Sequence, residues 1–99
     1  DLTRRLAGVL ERELGKERVV DLPPAMASED FSRFRENGIP SVMLMIGAVE
    51  PDKFAAAKAS GTQLPSLHSP FFAPDRERTI KTAIATEVIA LRELMPPKS

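Results

Sequence analysis

Ser41-Val42-Met43-Leu44-Met45-Ile46-Gly47 is an unbroken apolar run closed by a glycine, and it sets the expected fold. A strand with one wet face alternates apolar and polar residues. Continuous apolarity instead marks a strand covered on both faces, as in a parallel sheet flanked by helices. Ile39-Pro40 turns the chain into this run, because a residue before proline is kept out of the helical region. The stretch Arg18-Val19-Val20-Asp21-Leu22, short and β-branched, reads as a first strand, and Pro23-Pro24 stops it because neither proline can donate to a ladder.

Helical patterns surround these two runs. Leu2, Leu6, Val9, Leu10 and Leu14 share one helical face, and Gly15 stands where a left-handed helix end belongs, which predicts an amphipathic helix over 2–14. Ser28 can cap a second helix over 29–37, with Glu29 and Asp30 at the positive end of its dipole and Gly38 closing it. Residues 48–74 are proline-rich and read as a long loop, with one helical turn in the alanine-rich stretch Phe54-Ala55-Ala56-Ala57-Lys58-Ala59. Asp75 caps the longest helix. Ile80, Ala83, Ile84, Val88, Leu91, Leu94 and Met95 line one side of it, and Pro96-Pro97 ends it.

The expectation is therefore an α/β fold in the order α-β-α-β-loop-α. Met43, Met45 and the apolar stripes of the first and last helices are assigned to the core, and Arg33, Arg35, Arg76 and Arg78 to solvated helix faces. The second strand, apolar all round, needs strand neighbours that these 99 residues do not supply. The chain is thus expected to self-associate or to be the last third of a larger α/β domain. Its start at Asp1, directly in a helical pattern, also reads as a piece cut from a longer protein.

Composition narrows the function classes. Ninety-nine residues allow one small domain, and 42% hydrophobic with 28% charged residues is ordinary globular usage. Fourteen basic and fourteen acidic side chains cancel, so no long-range field draws in nucleic acid or an anionic membrane. No apolar run reaches the ~18 residues of a membrane span, and the amino terminus lacks the regions of a signal peptide, so a cytoplasmic chain is expected. Without cysteine there is no disulfide framework to read.

The single histidine, in Leu67-His68-Ser69-Pro70, is the candidate metal ligand. A neutral imidazole is the commonest protein ligand for zinc, Pro70 keeps the turn extended, and the position after a buried strand and a long loop is where open α/β folds place their sites. The bland alternative is a loop histidine with a structural role. Glu29 and Asp30 are explained by the helix dipole alone, although the small residues Ala25, Ala27 and Ser28 would let an anionic group approach the helix amino end. Ser69 has no glycine-flanked elbow and is not read as a nucleophile.

Met26-Ala27-Ser28-Glu29-Asp30-Phe31-Ser32, then Gly38-Ile39-Pro40 leading to Leu44-Met45-Ile46-Gly47-Ala48, then Leu67-His68-Ser69-Pro70 before a long terminal helix, resembles the carboxyl-terminal portion of a zinc-dependent amidohydrolase and metallopeptidase family. That family contains hippurate hydrolases, aminoacylases, indole-acetyl-amino-acid hydrolases and carboxypeptidase G. The resemblance implies that residues 1–99 form one partial catalytic domain, the segment that returns from an absent lid domain to finish a three-layer α/β/α domain. It implies two divalent ions in the complete enzyme, zinc or else manganese, cobalt or nickel, with His68 matching the last metal-binding histidine. Ala27, Ser28 and Glu29 become candidates for lining the substrate pocket.

The activity so implied is metal-assisted hydrolysis of the amide bond of N-acyl amino acids or small peptides. The base and remaining ligands lie upstream in the family, so no catalytic acid or base is assigned to this chain. Alone it should be inactive and bind no metal tightly. Two departures stand out: Ala27 replaces a glycine found in many members, and the stretch between Ala48 and Leu67 is long and rich in Ala, Lys and Pro. The rival from another class is a small non-catalytic α/β interaction module with a structural His68, pairing through strand edges and helix faces with a partner or with itself.

Overall fold

The computed structural model describes residues 1–22 and 31–98. Helix α1, Leu2–Leu14, forms where the leucine and valine spacing predicts it, and the Asp1 carboxylate caps it by accepting from the Thr3 amide at 2.9 Å. Gly15, at φ +104°, ends it and donates its amide to the Glu11 carbonyl. A side chain would be strained at this backbone angle, and its Cβ would also displace the Glu17 carboxylate, whose Oε1 lies 2.6 Å away. The chain then makes one 3₁₀ turn, Lys16–Arg18.

Helix α2 is Ser32–Glu36. It ends as the sequence predicts, at Gly38 with φ +77°, and the Ile39 amide reaches back to the Phe34 carbonyl at 3.0 Å, a bond that closes over a left-handed residue. The expected start of this helix, with Ser28 as cap and Glu29 and Asp30 in its first turn, lies outside the described residues. Helix α3, Pro51–Ser60, occupies a region expected to be mostly loop. Helix α4, Arg76–Leu94, is the long terminal helix, and its end precedes the proline pair.

The α/β expectation fails here, and with it the three-layer arrangement and the order α-β-α-β-loop-α. Among the described residues there is no strand, and the elements run α1, the 3₁₀ turn, α2, α3, α4. The 3₁₀ turn takes up the start of the first expected strand; Val19 beyond it is extended (φ −110°, ψ 117°), but Val20 and Leu22 face solvent. Residues 41–45 lie in no regular element, and Met43 and Met45, expected in the core, are 48% and 60% exposed. The physical cause is the range of the bonds. A helix closes its hydrogen bonds four residues along the same segment, whereas a strand needs a second segment beside it, and neither run finds one among the described residues.

Packing divides the chain into two compact units, one of Asp1–Met45 with Thr86–Ser99 and one of Ile46–Ala85. In the first, Leu6, Val9 and Leu10 of α1 form the buried core, and Leu2, Leu14, Val19, Val42, Ile89 and Ala90 pack against it. Arg5 joins α1 to the last turn of α4, with Nε on the Glu93 carboxylate and Nη2 on the Glu93 carbonyl, both at 2.8 Å. A cation there complements the negative end of the helix dipole, but both side chains are open to water, so screening leaves the pair worth at most about 1 kcal/mol. The α4 face buried in this unit carries Thr86, Ile89 and Ala90. Val88, Leu91, Leu94 and Met95, expected to be core, are exposed, as are Ile80 and Ile84 in the second unit.

In the second unit, α3 and the first turns of α4 are tied by their amino ends. Glu50 caps α3, accepting from the Asp52 and Lys53 amides at 3.1 and 2.9 Å, and Pro51 occupies the first helical position, where no amide is needed. Asp75 precedes α4 and donates its amide to the Ala48 carbonyl at 2.7 Å, and the Thr79 hydroxyl donates to the Gly47 carbonyl at 3.4 Å. Arg78 is exposed, as expected, and its guanidinium lies between the two carboxylates, 3.4 Å from Glu50 and 3.6 Å from Asp75.

Candidate functional site

His68 sits in a turn that its neighbours fix. The Ser69 amide donates to the Ser66 carbonyl at 3.0 Å, the Phe72 amide to the Ser69 carbonyl at 3.1 Å, and the Phe71 amide to the Ser69 hydroxyl at 3.1 Å. Ser69 therefore spends its side chain on shaping the loop, the local bonding expected of serine in turns. Pro70 cannot donate and keeps the chain from continuing as helix. The imidazole is left exposed, with no hydrogen bond or ion pair to any described residue, between the exposed Leu67 and Phe71.

A metal centre needs more donors than this turn brings together. Among the described residues no group of three or more His, Cys, Asp or Glu side chains could hold an ion. Glu50 and Asp75, carboxylates of the same unit, are already engaged by helix amides and by Arg78. The amides of Asp52 and Lys53 bond the ionised form of Glu50 and hold its pKa below the usual glutamate value, with the Arg78 charge adding to the effect. The described residues thus fit one ligand position and not a metal centre, so no chemical step through an ion is derived from them. The expected pocket residues Ala27, Ser28 and Glu29 lie outside the described residues.

Sequence reasoning missed the clasp of Glu50, Asp75 and Arg78. The signal is Glu50-Pro51 ahead of Asp52 and an alanine run, a helix start in which proline takes the first helical position, whereas the prolines of 48–74 taken together mark a loop. Chemically the clasp is a structural device: Glu50 accepts from the amides at the head of α3, and Arg78 bridges it to Asp75 before α4.

No protein-family model, curated protein or solved structure matches this chain. No helix among the described residues is long and apolar enough to cross a membrane.

Proposed function

We propose that this chain supplies His68 as a single ligand to a metal-dependent hydrolase that cleaves the amide bond of N-acyl amino acids or small peptides, the other ligands and the general base coming from further polypeptide. The carrying observation is the state of His68: exposed, free of hydrogen bonds to described residues, and held on a turn that Ser66, Ser69 and Pro70 shape. A structural histidine is ordinarily engaged by the groups around it, whereas a ligand donated to an outside centre must keep one ring nitrogen free for the ion. The order of the motifs around residues 26–32 and 67–70 supports the same reading by resemblance. The helical architecture is the one described above, and the proposal concerns chemistry alone. The ions would be zinc, manganese, cobalt or nickel, and the location cytoplasmic.

Two measurements test this. Calorimetric titration of the 99-residue chain with zinc should show only weak binding that His68→Ala abolishes; tight stoichiometric binding by a monomer would overturn the proposal, because one imidazole cannot hold a catalytic ion. Reading the coding frame on the amino-terminal side of Asp1 should reveal about 250 further residues with His, Asp and paired Glu. A stop codon immediately upstream would count against it.

The second reading, a helical interaction module without catalysis, is favoured by a different observation: Val20, Leu22, Met43, Leu44, Met45, Val88 and Leu91 are all apolar and exposed. It predicts no zinc response at His68.

A further inference from the structure

We infer that Asn37 is a site of spontaneous covalent modification: the Gly38 backbone nitrogen attacks the Asn37 side-chain amide, expels ammonia, and leaves aspartate and isoaspartate at position 37. The inference makes no use of His68 and stands apart from the proposed function.

Asn37 is the sole asparagine of the chain, and glycine follows it. The backbone nitrogen after an asparagine closes a five-membered ring when it reaches Cγ, and glycine, having no Cβ, lets that nitrogen approach with least hindrance. The structure leaves this nitrogen unengaged. The Asn37 amide donates to the Phe34 carbonyl at 3.3 Å and the Ile39 amide to the same oxygen at 3.0 Å. Between them, the Gly38 amide donates to no described residue. Both residues are exposed, and beyond the adjoining residues no atom lies within 4 Å of where a Cβ on Gly38 would stand. Water and hydroxide therefore reach the reacting atoms.

One contact opposes the reaction. Asn37 Nδ2 donates to the Arg33 carbonyl at 2.8 Å and holds the side chain against the end of α2. That bond is exposed and belongs to a helix of five residues, so competition from it slows the attack only about fivefold.

The chemistry needs water alone. Hydroxide takes the Gly38 amide proton, the nitrogen forms a bond to Asn37 Cγ, and the Cγ–Nδ2 bond breaks as the nitrogen leaves, protonated by water, as ammonia. Water then opens the cyclic imide at either carbonyl. Addition at Cγ gives aspartate; addition at the main-chain carbonyl gives isoaspartate, in which the chain runs through Cγ. Nothing is oxidised or reduced.

Both products undo the end of α2. A carboxylate at position 37 has no proton to donate to the Arg33 carbonyl, and it sets negative charge among the free carbonyls that finish the helix. Isoaspartate adds a main-chain carbon between the Phe34 carbonyl and the Ile39 amide, so the bond that closes over Gly38 is lost.

The test is incubation of the purified 99-residue chain over a series from about pH 6 to about pH 9. Intact mass, released ammonia and mapping with a protease that cuts before aspartate but not before isoaspartate are the readouts. A gain of about 1 Da is expected, as an amide NH₂ becomes a hydroxyl or its anion, with an equal amount of ammonia. The rate should rise about tenfold per pH unit, because the attacking nitrogen must first lose its proton. Isoaspartate should be present at position 37, a product that direct hydrolysis of the side-chain amide does not give. Asn37→Gln, whose ring would be larger by an atom, should abolish the gain, and Gly38→Ala should slow it severalfold. A synthetic peptide of residues 33–41, in which no fold is at stake, should convert at a rate within about tenfold of the folded chain. In converted protein the Ile39 amide should exchange with solvent faster than in fresh protein. Conversion of the peptide but not of the folded chain, aspartate without isoaspartate, a gain carried by Gln63 instead, or a rate indifferent to pH would each overturn the inference.

Discussion

Replacing Leu6 with alanine should cost this protein more than any other single truncation in its first unit. Leu6 is 2% exposed and lies in a core whose other buried hydrophobic members, among the described residues of that unit, are Val9 and Leu10. Removing its three terminal carbons loses their transfer free energy and leaves a void that the rigid α1 backbone cannot close, about 3 kcal/mol together. Domains of this size are stable by only about 5–15 kcal/mol, and so small a buried core places this one near or below the lower limit. The folded-to-unfolded ratio should fall by roughly two orders of magnitude. Urea titration followed by helical circular dichroism at low micromolar concentration reads the change as a lower midpoint at unchanged slope. Val20→Ala serves as the comparison, because Val20 is 70% exposed and its loss should shift stability by no more than about 0.5 kcal/mol. If the two variants unfold at the same urea concentration, the core assigned to α1 is wrong.

Two further outcomes are expected. Glu50 stabilises the amino end of α3 in its ionised form, so its folded pKa lies below the ordinary 4.5; that contribution is present above 4.5 and fades as pH falls through the lowered folded value, and Glu50→Gln should remove this acid-dependent loss of helicity. Gly38→Ala should destabilise α2 by about 1 kcal/mol, seen as a lower melting temperature, because φ +77° is a strained angle for alanine even though no atom lies within 4 Å of the added Cβ.

The helices show how far the sequence could be read. The boundaries of α1 were legible because an amphipathic period and a glycine stop act within one short segment. Gly38 as the end of α2 and the proline pair beyond α4 were legible for the same reason. Helix α3 was missed because Pro51 has two opposite meanings, and which one applies depends on the Glu50 carboxylate reaching the amides behind it. At the candidate site the sequence identified His68 as the one imidazole, but a ligand's role depends on which other donors approach it, and these are set by parts of a chain far apart in order.

By itself the sequence determined the elements whose hydrogen bonds close locally: α1, the terminations at Gly15 and Gly38, the long α4, and the turn that presents His68. Only the tertiary structure decided the fate of the apolar runs. Residues 41–45 have the side chains of a buried strand, yet a strand exists only when another segment lies alongside, and among the described residues none does. It likewise decided which side of α4 is covered, burying Thr86 and packing Ile89 and Ala90 inward while Val88 and Leu91 stay in solvent. The apolar period of a helix marks the residues suited to burial, but the neighbour that packs on the helix chooses the face.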